Sequence, residues 1–261
     1  MKRFLTLILC CSATAFVAQA ATPVNCGDNL NQPGGQYVLT GNLACPFSPA
    51  VLITANNVQF DLQGFILSRT GAPLGAGITT AEGSSCVATS GVHIHNGTIT
   101  GFGVAVSICV PTPPASVNTF AEIDNLHLTG NSSGIEVFNG NGNSIHNNTI
   151  TLNLDTTGVS PGTAIYLANS SENLIAQNTL NSNAANGLEL AGSKFNLIFG
   201  NTANTNRKSG VRLDAGSSDN VLYRNFAHGN AAFDLEDDNP NCGTNAWFAN
   251  VAGTKNVSCI H

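Results

Sequence analysis

Gly134-Ile135-Glu136-Val137, followed by Asn143-Ser144-Ile145-His146-Asn147-Asn148, is the stretch from which the fold can be read. The signature returns at Ala164-Ile165-Tyr166-Leu167 with Asn173-Leu174-Ile175-Ala176-Gln177-Asn178. It returns again at Gly187-Leu188-Glu189-Leu190 with Asn196 to Asn201, and at Gly210-Val211-Arg212-Leu213 with Asn220 to Asn225. Ala232-Phe233-Asp234-Leu235 opens a last copy. The period of 23 to 30 residues describes a coil stacked on itself rather than a globule with one central core. Within each four-residue run the apolar positions alternate, which specifies strands. Ile135 and Val137 are expected to point inward and Glu136 outward. Successive copies travel the same way round, so they stack in parallel, and no single coil buries enough apolar surface to fold alone.

Working outward, Val51-Leu52-Ile53, Val58-Gln59-Phe60-Asp61-Leu62 and Phe65-Ile66-Leu67 read as three strands around one triangular turn. Residues 71–90 and 111–119 break the rhythm and read as loops leaving the coil. The expected organisation is a signal peptide over 1–20, an N-terminal cap region over 21–50, a parallel β-helix over 51–240 and a C-terminal cap over 241–261. Met1-Lys2-Arg3, the apolar run Phe4 to Val17 and Ala18-Gln19-Ala20 supply the signal peptide's three parts. An extracytoplasmic chain, secreted or periplasmic, is therefore expected.

Composition narrows the function. Nine Lys and Arg, less Lys2 and Arg3, against fifteen Asp and Glu leave a net charge of about −8. No basic patch is present, which argues against nucleic acid, and no later segment is apolar and long enough for a transmembrane helix. A monomer is expected. Thirty-four asparagines suit a stacked coil whose bends need them. Asn148, Asn178, Asn201 and Asn225 share one such bend, where asparagine tolerates a left-handed backbone and stacking is expected to place one side-chain amide above the next. Six cysteines remain after the signal: Cys26, Cys45, Cys86, Cys109, Cys242 and Cys259. Their fifteen possible pairings are narrowed by proximity to Cys26–Cys45, Cys86–Cys109 and Cys242–Cys259, each spanning about one coil.

The Asn-x-Ile-x-x-Asn repeats and the tail from Asp237 to Ile260 resemble the right-handed parallel β-helix superfamily, and within it the secreted pectate-lyase-like proteins with NosD-like repeats. The resemblance covers residues 50–250. It implies an all-β solenoid with disulfide-stabilised ends, and a family that includes polysaccharide lyases, glycan hydrolases, uronan epimerases and adhesins. The chain carries no counterpart of the calcium-binding aspartates of the lyases. It also lacks the aspartate pair of the polygalacturonase-type hydrolases and the aspartate-proline-histidine-aspartate motif of the epimerases.

Site residues must therefore come from the stack itself. The outward slot of the first strand reads Glu136, Tyr166, Glu189, Arg212, Asp234, a mixed stripe parallel to the coil axis. With rungs ~4.8 Å apart, Glu136 and Glu189 would stand roughly 10 Å apart, near the separation of an inverting glycosidase pair. Alternatively Arg212 neutralises a uronate while Tyr166 or a carboxylate takes the neighbouring proton. These five are the candidate catalytic residues, and a solvated face of ion pairs is the competing reading. His146, Phe199 and Tyr223 share an outward slot on the second strand and are candidates for stacking on sugar rings. His93 and His95 sit two apart on one strand, but the sequence offers no visible third metal ligand, so no metal is assigned. Asp234, Glu236, Asp237 and Asp238 form the densest acidic run, a possible calcium site whose spacing matches no known loop. The expected function is binding of, or action on, polysaccharide along an exposed stripe. The alternative is a non-enzymatic structural or adhesion protein.

Overall fold

In the computed structural model, residues 20–82, 85–111, 117–154 and 162–261 are described. The expected signal peptide falls outside them but for Ala20, as do residues 112–116 of the second expected loop. The alternating segments wind into a right-handed parallel β-helix with three faces. The first face is a nine-stranded sheet that begins with Asp28–Leu30 and includes Ser133–Phe138, Ile165–Ala168, Leu188–Ala191 and Val211–Leu213, ending at Leu235–Asp237. The second and third faces join into one 17-stranded sheet, because His93–Thr100 and Glu122–Thr129 each run unbroken round the bend between them. All pairings within these two sheets are parallel and in register: Ile135 lies over Ile165, which lies over Leu188, then Val211, then Leu235.

That column is fully buried, as is the matching column Ile145, Ile175, Ile198 and Leu222 on the second face. Each inward side chain contacts the one above, so the core is continuous along the axis. Ala76–Thr79 belongs to the first face although it lies within the expected 71–90 loop. The true departure from the coil is the antiparallel pair Ala81–Glu82 with Ser85–Cys86. The three disulfides are Cys26–Cys45, Cys86–Cys109 and Cys242–Cys259, as proximity favours.

Asparagine ladders hold the three bends. Asn143, Asn173, Asn196, Asn220 and Asn245 form one; Asn148, Asn178, Asn201, Asn225 and Asn250 a second. Asn131, Asn153, Asn183, Asn206 and Asn230 form the third. Each side-chain amide but the last of a ladder donates to the amide oxygen of the next coil, as Asn178 does to Asn201, and most also reach a backbone carbonyl of the coil before. The left-handed residues at the second bend are not Asn148, Asn178, Asn201 and Asn225 but their predecessors, Asn147, Gln177, Gly200 and Arg224, with φ of 56°, 55°, 64° and 54°. The turn is made one residue early, which swings the next side chain inward to the ladder.

Candidate functional site

On the first face the outward column runs Glu136, Tyr166, Glu189, Arg212, Glu236. Four of the five candidate catalytic residues are thus aligned as expected. Asp234 is not in the column. It is buried below the third asparagine ladder, where Oδ1 accepts from Asn230 N and Nδ2, and Oδ2 from Gly253 N and Thr254 N. Every amide in a ladder donates onward, so the last rung needs an acceptor that donates nothing, and a carboxylate is that group. Burial alone raises the Asp234 carboxyl; the hydrogen bonds from Asn230, Thr254 and Gly253 together outweigh burial and hold it below its ordinary value.

Arg212 is surrounded rather than free. Its Nη1 donates to Glu189 Oε1 at 3.0 Å and its Nη2 to Asp238 Oδ2 at 2.8 Å, with Glu236 Oε1 3.7 Å from Nε. Asp214 Oδ1 lies 2.8 Å from Nη1 but off the line of its N–H bond, an electrostatic pair without a hydrogen bond. Glu189 also accepts from Asn186 Nδ2 at 2.7 Å, and Glu236 from Ser209 Oγ. A cavity of about 280 Å³ lies beside Arg212, lined by Asn186, Lys208, Ser209, Ala232 and Glu236. Tyr166 packs edge-on against Phe138, 5.9 Å between centroids. Burial first, then the charges of Glu189, Asp214 and Glu136, raise its phenol above the ordinary value, against the opposing pull of Arg212. A phenol so placed holds its proton, the opposite of what a base requires.

The acidic run is divided between these two tasks. Asp234 and Asp237 turn inward; Asp237 Oδ2 accepts from Trp247 Nε1 at 2.8 Å and Asn245 Nδ2 at 3.2 Å. Glu236 and Asp238 face Arg212. The carboxylates read as a possible calcium site therefore diverge, and each meets a protein donor.

Glu136 is buried, and burial raises its carboxyl above the ordinary value, with Ser133 beside it offsetting part of the effect. In the window between the unfolded and the raised folded value the folded state binds the extra proton, so stability falls as pH rises through it. Glu136→Gln is expected to stabilise the protein at pH ~7, because the amide carries no charge for burial to penalise. The gain should vanish below the ordinary glutamate range, and thermal melts across pH measure it. Asp234 has the opposite sign: its contribution is present above the ordinary aspartate range and is lost as pH falls through the lowered value.

The second face carries a different column: Asp61, His95, Asp124, His146, Ala176, Phe199, Tyr223, Phe248. The three candidate sugar-stacking residues His146, Phe199 and Tyr223 lie in it together. Phe199 and Tyr223 stack at 5.7 Å with 21° between planes, and Tyr223 and Phe248 lie 4.9 Å apart. The Arg224 guanidinium sits 4.9 Å from the Tyr223 ring centre. Beside this column Leu174 and Leu197 are exposed. At the other end, His93 Nε2 lies 2.5 Å from Asp124 Oδ1, and His146 Nε2 lies 3.1 Å from Glu122 Oε1. Glu122, Asp124 and Phe248 were not candidates from sequence. The rule that paired rungs share a face would have found them once the register of the 93 and 122 strands was known.

Among the described residues no helix is long and apolar enough to cross a membrane. No curated protein sequence matches this chain. Among solved structures, it is similar to the Dettilon tailspike protein, at 13% identity and TM-score 0.54 over 89% of this chain and 60% of that one. It is also similar to a double mutant of the periplasmic alginate epimerase AlgG, at 15% identity and TM-score 0.47 over 78% of this chain and 57% of that one. A third is the A-module of the Azotobacter vinelandii mannuronan C-5 epimerase AlgE6, at 12% identity and TM-score 0.42 over 81% and 71%. The chain thus spans little more than half the length of the first two, and at these identities the likeness speaks to fold alone. The sequence family described as the right-handed beta helix region matches residues 50–227, most of the coil, and the chain belongs to that family.

Proposed function

We propose that this is an extracytoplasmic carbohydrate-binding β-helix that lays a polysaccharide along its second face, parallel to the coil axis. The column of Phe199, Tyr223 and Phe248 carries this reading. Three rings on successive rungs, half-buried or exposed, form a platform that an extended polymer meets ring after ring. Exposed Leu174 and Leu197 widen it, and Arg224 adds a donor at its edge. Three disulfides support an oxidising, extracytoplasmic compartment. The first-face stripe supports a different role. Arg212 is held by carboxylates, and Tyr166 keeps its proton, so the stripe acts as an internal ionic clamp in this reading.

Retention on a panel of immobilised neutral and acidic polysaccharides tests the proposal. Tyr223→Ala and Phe248→Ala should each weaken retention about tenfold, the loss of one stacking partner. Arg212→Lys should leave it unchanged. The reading is wrong if the folded protein is retained on no polysaccharide, or if the Tyr223→Ala, Phe248→Ala double variant is retained like the parent.

A further inference from the structure

The geometry points to a site for a divalent transition metal of the zinc class on the second face, held by His93, His95 and Asp124, with Glu122 and His146 at its edge. The register builds it. His93 lies over Glu122 and His95 over Asp124, which lies over His146. Three of the chain's six histidines thus meet two carboxylates within three rungs. One ligand atom from each of His93, His95 and Asp124 lies within 4.8 Å of the others, and the same holds for Glu122, Asp124 and His146. Two ligands of one zinc-sized ion stand no more than ~4.2 Å apart, since each bond is ~2.0–2.1 Å. In a tetrahedral site the donors stand ~3.3 Å apart, so pairs near the 4.8 Å limit close by up to ~1.5 Å and the 2.5 Å His93–Asp124 contact opens by about 1 Å, shifts that side-chain rotation supplies.

Three further features favour an ion over a plain ion pair. His93 contacts an acceptor at both ring nitrogens: Gln59 Oε1 lies 3.0 Å from Nδ1 and Asp124 Oδ1 2.5 Å from Nε2. A neutral imidazole has one N–H and satisfies only one of them. With a metal bound at Nε2, which Asp124 Oδ1 must draw back to admit, Nδ1–H donates to Gln59 Oε1, and Gln59 orients the ring as an outer partner. His93 and His95 stack at 4.1 Å with 13° between planes. The stack holds both imidazoles side by side on one rung, so two nitrogen donors lie near Asp124 together. Asp124 is buried, and Asn125 Nδ2 donates to its other oxygen, Oδ2, which fixes the carboxylate with Oδ1 toward His93. Two imidazoles and one carboxylate, with Glu122 half in solvent, are a donor set for zinc, cobalt, nickel or manganese. Calcium prefers oxygen alone.

The test uses chelator-treated purified protein, Zn²⁺ in titration calorimetry and Co²⁺ in visible absorption, with circular dichroism to verify folding. One equivalent of Zn²⁺ should bind, and Co²⁺ should develop ligand-field bands. His95→Ala and Asp124→Asn should each weaken binding at least ~100-fold. Gln59→Leu should weaken it about tenfold, as loss of an outer partner does. His228→Ala, an exposed histidine on another face, should bind like the parent. The inference is overturned if the folded parent takes up no stoichiometric Zn²⁺ or Co²⁺, or if folded His95→Ala and Asp124→Asn bind as the parent does. Tyr223 and Phe248 lie outside the ligand set, so metal uptake and polysaccharide retention can fail separately.

Discussion

Asn178→Ala is expected to destabilise the protein by about 3–5 kcal/mol, more than any single outward residue. Asn178 Oδ1 accepts from Asn148 N and Asn148 Nδ2, both at 3.0 Å. Its Nδ2 donates to Ile145 O and to Asn201 Oδ1, both at 2.9 Å. Alanine therefore strands two buried donors on one coil and removes a donor from two buried acceptors. Each buried group left unpaired costs ~1–3 kcal/mol, and no water reaches a rung 1% exposed. Asn178→Asp should be equally damaging. It keeps an acceptor for Asn148 but turns a carboxylate oxygen toward Ile145 O and Asn201 Oδ1. Asp234→Asn fails for the converse reason, by pointing an NH₂ at the N–H groups of Gly253 and Thr254. Because stability in a solenoid passes between neighbours, the Asn178→Ala urea transition should also broaden as the coils on either side uncouple. Thr149→Ala, on an exposed outward position, is the control and should shift little. An Asn178→Ala midpoint matching that control would mean the ladder is ornamental.

Sequence made the coil legible because its two signals are independent. Alternation at Ile135, Val137, Leu188 and Leu190 gave the strand face, and the recurring asparagine gave the bend. It was less able to fix register. Ala232-Phe233-Asp234-Leu235 resembles Gly210-Val211-Arg212-Leu213, yet Leu235, not Phe233, lies over Val211. A slip of two residues preserves which side chains face inward, so alternation cannot detect it, whereas a slip of one would have reversed every position. Asp237 then falls at an inward place, a charge where the pattern expects an aliphatic group, and its partner Trp247 lies ten residues on. The His93–Asp124–His146 cluster was hidden for another reason. Ladder partners are separated by 22 residues at Asn131–Asn153 and by 30 at Asn143–Asn173. With coils of unequal length, side chains that touch share no fixed spacing in the chain. The stripe of Glu136, Tyr166, Glu189 and Arg212 was legible as a stripe, but its chemistry was not, because Asp214 and Asp238 reach Arg212 from positions outside the repeat.

Arg212→Ala is the second large perturbation, and its pH dependence separates an ionic clamp from mere packing. Arg212 is the one cation among Glu189, Asp214, Glu236 and Asp238 in the described contacts. Breaking a buried pair from one side costs ~3–5 kcal/mol; with 31% of this side chain accessible, about 2–3 kcal/mol is expected at pH ~7. Asp214 already titrates above its ordinary value: burial raises it, Glu189, Asp238 and Glu236 add to this, and Arg212 alone opposes them. Without Arg212 nothing opposes that rise, and the folded Asp214 carboxyl binds its proton still more readily than the unfolded one. The variant's stability must then fall as pH rises through the ordinary carboxylate range toward the raised folded values. Its deficit relative to the parent should shrink toward acid, leaving only the lost contact of the aliphatic stem. Arg212→Lys should recover part of the neutral-pH loss, since one ammonium cannot reach Glu189 and Asp238 with the geometry of a planar fork. Thermal melts of the three proteins at pH ~4, ~5.5 and ~7 decide it. A deficit independent of pH would assign Arg212 a packing role and remove the reason to treat the first face as closed to substrate.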